Sequence, residues 1–114
     1  MKIEFPWPPK ELSPNSTAKL RLKLRAKKVY RQLCWGMTLE AKLKAPDTRP
    51  LPLVITFYPP DRRHRDDDNM IGSFKRGRDG FANALGVDDK HFRPAYHFAD
   101  PVPGGKIVVE VCQS

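Results

Sequence analysis

Alternation opens the chain. Lys2 to Phe5 runs polar, apolar, polar, apolar and stops at Pro6-Trp7-Pro8-Pro9, which predicts a short first strand. Proline at three of those four positions removes backbone donors and ends any ladder or helix there. Ser13-Pro14-Asn15-Ser16 then carries turn and cap chemistry. From residue 17 to about 43 the period changes. Leu22, Ala26, Val29, Tyr30, Leu33 and Met37 recur at three- and four-residue steps, predicting a long helix with these residues as its buried stripe. Leu20, Leu22 and Leu24 also alternate with cations, but the longer pattern favours helix.

The strongest strand is Leu51 to Tyr58, branched or aromatic almost throughout and closed by Pro59-Pro60. A second helix is expected from Asp67 to Leu85, with Met70, Phe74, Phe81 and Leu85 on its apolar face. Gly72, Gly77 and Gly80 each weaken that helix by roughly 1 kcal/mol relative to alanine, so they imply close backbone packing or a break near Gly77. Gly86 is the expected C-cap. His91 to Phe98 and Lys106 to Cys112 read as the last two strands, separated by Pro101-Val102-Pro103-Gly104-Gly105. The order βαβαββ predicts an α+β fold: one small domain over residues 1–114, with helices packed on one mixed or antiparallel sheet. A chain this short would gain from burying surface in a homodimer.

Charge narrows the partner. Lys and Arg number 21 against 13 Asp and Glu, a formal net charge of +8, which favours a polyanion. The helix over residues 17–43 carries much of it; Lys23, Lys27 and their neighbours suit a solvated face as well as one facing DNA. Cys34 and Cys112 are too few and too far apart for a disulfide framework or a zinc cluster. No apolar run nears the ~20 residues that span a bilayer, and the N-terminus has no signal-peptide core. A soluble, cytoplasmic protein with no membrane partner is expected.

Within this basic chain, Asp61-Arg62-Arg63-His64-Arg65-Asp66-Asp67-Asp68-Asn69 sets three consecutive carboxylates beside arginines. A surface that grips phosphates gains nothing from acids unless a cation stands between them, and Mg²⁺ takes carboxylate oxygens while keeping water. Asp66 and Asp68 lie two apart where a strand gives way to a helix; an extended junction would aim both at one ion, with Asp67 free to cap the helix. Asp88 or Asp89, and Asp89 in preference, could bring back a third carboxylate. One or two ions would then activate water and neutralise phosphorane charge. Lys75, seven residues after Asp68 on the same helical face, or less favourably Arg76, could stabilise the developing charge. The bland alternative is that acids before a helix serve as caps and dipole partners, and arginines beside them as solvated ion pairs.

These blocks resemble the RusA-type Holliday-junction resolvases. The likeness rests on Pro6-Trp7-Pro8-Pro9 after an opening strand, on Pro60-Asp61-Arg62-Arg63-His64-Arg65-Asp66-Asp67-Asp68-Asn69 after a central strand, and on Asp88-Asp89 after a helix ending in Ala-Leu-Gly. It covers nearly the whole chain. The resemblance implies a homodimeric, Mg²⁺-dependent endonuclease of phage or prophage type, with Mn²⁺ as a substitute ion, cutting two strands symmetrically at a four-way junction. It assigns Asp66, Asp68 and Asp89 as catalytic metal ligands. The family's catalytic lysine falls on Gly72 here, which leaves Lys75 or Arg76 to replace it. Arg62, Arg63, Arg65, Lys23, Lys27 and Arg76 are the expected DNA contacts. The rival expectation is a DNA-binding or junction-clamping phage protein without catalysis; a third is a nuclease of flaps or forks.

Overall fold

The computed structural model describes residues 1–112. Its elements are β1 (Lys2–Pro6), α1 (Leu20–Glu40), β2 (Leu51–Tyr58), α2 (Asp67–Ser73), α3 (Lys75–Leu85), β3 (Phe92–Phe98) and β4 (Lys106–Val111), with short 3-10 turns at Lys10–Leu12 and Asp89–His91. The strands form one mixed sheet in the order β1-β4-β2-β3. β4 runs antiparallel to both neighbours, while β2 and β3 are parallel, with Leu51 beside Phe92 and Phe57 beside Phe98. The fold is thus α+β, as the sequence implied. The second predicted helix is two segments that meet at Phe74, three residues before the expected break at Gly77.

One sheet face is covered. Ile3, Phe5, Leu51, Leu53, Ile55, Phe57, Ile107, Val109 and Val111 are buried at alternate strand positions, as the two-residue period of a half-covered sheet requires. Phe74 closes the core from the helix joint, with its ring 5.8 Å from Phe5 and 6.3 Å from Phe57. The Tyr30 hydroxyl donates to the Pro6 carbonyl at 2.7 Å and ties α1 to the end of β1. Gly86, at φ 73°, caps α3 in the left-handed conformation, as expected.

The buried face of α1 differs from the expected stripe. Tyr30, Cys34 and Thr38 are buried, Ala26 and Met37 are half-buried, and Leu22, Val29 and Leu33 stay exposed. The cause is α3. Gly80 lies so close to α1 that a Cβ there would run into the Arg31 carbonyl oxygen and come within 3.0 Å of the Trp35 nitrogen. A Cβ on Gly77 would come within 2.6 Å of the Tyr30 ring. The helices therefore meet where side chains are small or can lie flat, not where α1 has most leucine. Among the described residues no helix is long and apolar enough to cross a membrane.

Candidate active site

Beyond β2 the chain folds around Asp61. Its carboxylate accepts from the Arg63 backbone N–H at 2.9 Å and from Arg65 Nη1 at 2.8 Å. The Arg65 hydrogen bond, followed by the Arg63 N–H, holds the Asp61 carboxyl below the usual carboxylate range. Arg65 also donates to the Arg63 carbonyl at 3.1 Å and lies over the Trp7 ring, 5.8 Å from its centroid. Only 20% of its side chain is exposed. Arg65, expected to touch DNA, clasps the loop and also lines the hollows beside it. Arg62 and Arg63 remain exposed.

This clasp delivers the acids to the start of α2. Asp66 is the N-cap residue, and its carbonyl accepts from Asn69 and Met70, both at 3.1 Å. The cap has no side-chain hydrogen bond, so Asp67 does not cap the helix as expected. Asp67 and Asp68 occupy the first turn, where helix-dipole charge favours acids. All three carboxylates line one open hollow with Asn15, His64 and Asn69. His64 Nε2 lies 3.1 Å from Asp66 Oδ1. A neighbouring hollow of about 380 Å³ shares Asp66 and Asn69 with it and extends past Trp7 to Ser13 and Ser73.

Asp89 lies elsewhere. It sits three residues before Phe92, whose partner Leu51 begins β2, whereas the acidic segment follows the far end of that strand. Seven steps of ~3.3 Å place the two ends about 23 Å apart. Arg78 anchors the Asp89 carbonyl there at 3.4 Å. Among the described residues no three His, Cys, Asp or Glu side chains come close enough together to hold a metal ion. Asp66 and Asp68 line the same hollow; Asp89 does not.

The two carboxylates still fit one kind of ion. Mg²⁺ dehydrates reluctantly and is commonly held by one or two carboxylates, with water and substrate phosphate filling its other positions. Asp66 and Asp68 in an open hollow suit that mode and not a closed cage.

The remaining cations gather on the other side of Ser13 and Ser73. Lys23, Lys27, Lys75 and Arg76 line a cleft of about 280 Å³ with Glu11, Pro14 and Gly72. Lys75 is therefore not in the hollow that holds the aspartates. Ser13, Asn15, Asn69 and Ser73 were not anticipated as site residues; the only sequence signal at the first two was a turn composition that gives no direction.

No known family model matches the chain. An uncharacterized protein of Xylella fastidiosa (strain Temecula1) is 39% identical to it over 113 residues, spanning 96% of this chain and 74% of that protein. This chain belongs to that protein's family. The shared span takes in both hollows and the cationic cleft, so family membership covers the whole site and carries no named activity with it.

Proposed function

We propose that this chain is a Mg²⁺-dependent, structure-selective endonuclease that cuts branched DNA, four-way junctions foremost, as a homodimer in the cytoplasm. One observation carries the reading: an open acidic hollow and a lysine-rich cleft flank a third hollow, which shares Asp66 and Asn69 with the first and Ser13 and Ser73 with the second. Unneutralised acids in a chain of net charge +8 are costly for phosphate binding alone and useful if a divalent ion stands between.

Asp66 and Asp68 would hold one or two ions, Mg²⁺ or Mn²⁺, with His64 fixing Asp66 through the 3.1 Å contact. When bound, such an ion supplies Lewis acidity and water acidic enough to attack a phosphodiester at neutral pH. Arg62, Arg63, Lys23, Lys27 and Arg76 hold backbone phosphates and bring a strand to the aspartates. Asp89 joins only across the dimer, contributed by a second subunit. The exposed apolar edge of α1, Leu22, Val29 and Leu33, supports such an assembly. A C₂ dimer also matches the approximate two-fold symmetry of a four-way junction.

A labelled four-way junction incubated with and without Mg²⁺ tests this, with flaps and forks as comparison. Paired cuts that vanish in D68N, with junction binding kept, are expected. Retardation without nicking in any divalent ion would favour the junction-clamping alternative.

A further inference from the structure

The four cations of the second cleft need an occupant. Lys23 and Lys27 are one turn apart on α1 and half-buried, while Arg21, Arg25, Lys28 and Arg31 around them are exposed. Both lysines line the cleft. Among the described residues neither has a carboxylate within 4.0 Å. Lys75 and Arg76 share a single acid, Asp79, at 3.9 and 3.4 Å. Glu11 is the one carboxylate lining the cleft itself. Two positive charges therefore remain unmatched in a concave site walled partly by backbone and hydroxyl groups.

The cleft also stands apart from the aspartates. Asp68 and Lys75 lie on separate helices, α2 and α3, and line hollows that have no residue in common. A group that stabilises charge on a reacting phosphate must come within ~2.7–3.1 Å of its oxygen. Lys75 Nζ instead turns to Asp79, one turn further along α3 and away from Asp68. Between the two sites stands Gly72, which offers no side chain and is covered by Pro14.

We infer that this cleft is a phosphodiester subsite for the strand that passes through the acidic hollow, and that Lys75 grips a flanking phosphate rather than the one being cut. The inference rests on the nuclease reading for the identity of the strand, and on the cleft alone for its charge and place. Lys23 and Lys27 hold the phosphate from one wall, Lys75 and Arg76 from the other.

The test uses the full chain, K75Q, and the K23Q/K27Q pair, all checked for unchanged circular dichroism. Binding to a labelled four-way junction is measured by anisotropy in EDTA across a salt series, and single-turnover cleavage in Mg²⁺ with enzyme in excess. K75Q is expected to lower the slope of log K against log salt by about 1, and K23Q/K27Q by about 2. The K75Q cleavage rate at saturation should stay within about twofold of wild type, with half-saturation shifted upward. Unchanged salt slopes would overturn the subsite. A saturated K75Q rate reduced 100-fold or more at unchanged affinity would place Lys75 on the reacting phosphate and overturn the inference equally. If wild type cuts nothing yet both variants lose slope, the nuclease reading falls and the subsite stands as a DNA grip.

Discussion

Pro14 occupies the space that a side chain at Gly72 would need: a Cβ built on Gly72 lies 2.8 Å from Pro14 Cγ. The loop before α1 thus seals α2 at the position where the resolvase pattern puts its lysine. It also sets Asn15 beside the aspartates.

Replacing Gly72 by alanine should therefore fail to stabilise the protein. Helix propensity alone favours alanine by about 1 kcal/mol, but forcing Pro14 aside costs about 1–3 kcal/mol. In urea unfolding, G72A should match or fall below wild type, while P14A/G72A should exceed P14A by about 1 kcal/mol. A gain of the full propensity in G72A with Pro14 present would show that the contact does not constrain the helix.

Gly80 and Gly36 should respond in opposite directions. A Cβ on Gly80 meets α1 backbone, whereas one on Gly36 has no atom within 4 Å. G80A is expected to lose about 3 kcal/mol or more, since two helix backbones must part. G36A should gain up to about 1 kcal/mol. Thermal melts of the two variants beside wild type check the pair, and equal shifts would refute the close approach.

The proposed dimer requires Asp89 to act in trans. D68N and D89N should each fail to cut a junction, while mixed and refolded together they should nick single strands. In the mixed dimer one site has both carboxylate sets intact and the other has neither. Full activity of D89N would remove Asp89 from the chemistry; dead single variants and a dead mixture would return it to its own subunit.

Alkali should unfold the protein through its core. Burial pushes the Cys34 thiol up to about 12. Burial also raises Tyr30. Both groups are neutral in both states below the ordinary thiol range, so the stability they contribute is complete there. Above about pH 9 the unfolded chain ionises first and gains, and stability falls as pH climbs through the folded values. Tm measured from about pH 8 to 11 should drop steadily. At about pH 8 a thiol reagent should spare Cys34 until denaturant is added. Rapid native labelling of Cys34 would contradict its burial.

How far the sequence could be read depended on whether a feature was local. β2 was legible because Leu51 to Tyr58 is branched or aromatic almost throughout, and the Gly86 cap because only one conformation suits that helix end. The face of α1 was not legible. Leucine abundance pointed to Leu22, Val29 and Leu33, but the contact was decided by Gly77 and Gly80 on a helix about fifty residues later. The acids after β2 stood out as a run, yet their neighbours Ser13 and Asn15 come from a turn whose direction no composition encodes. Asp89 followed a helix in the expected order; the parallel pairing of β2 and β3 sent it to the other end of the sheet.

Seating α1 on α3 at Gly80, main chain against main chain, makes the two helices a single stiff jaw. Lys23 and Lys27 sit on one half and Lys75 and Arg76 on the other, so their spacing is set when the protein folds and not when the proposed strand arrives. The entropy of arranging four long side chains is then partly spent in advance. A folded variant with a loosened Gly80 contact would grip DNA less well without having lost a single charge.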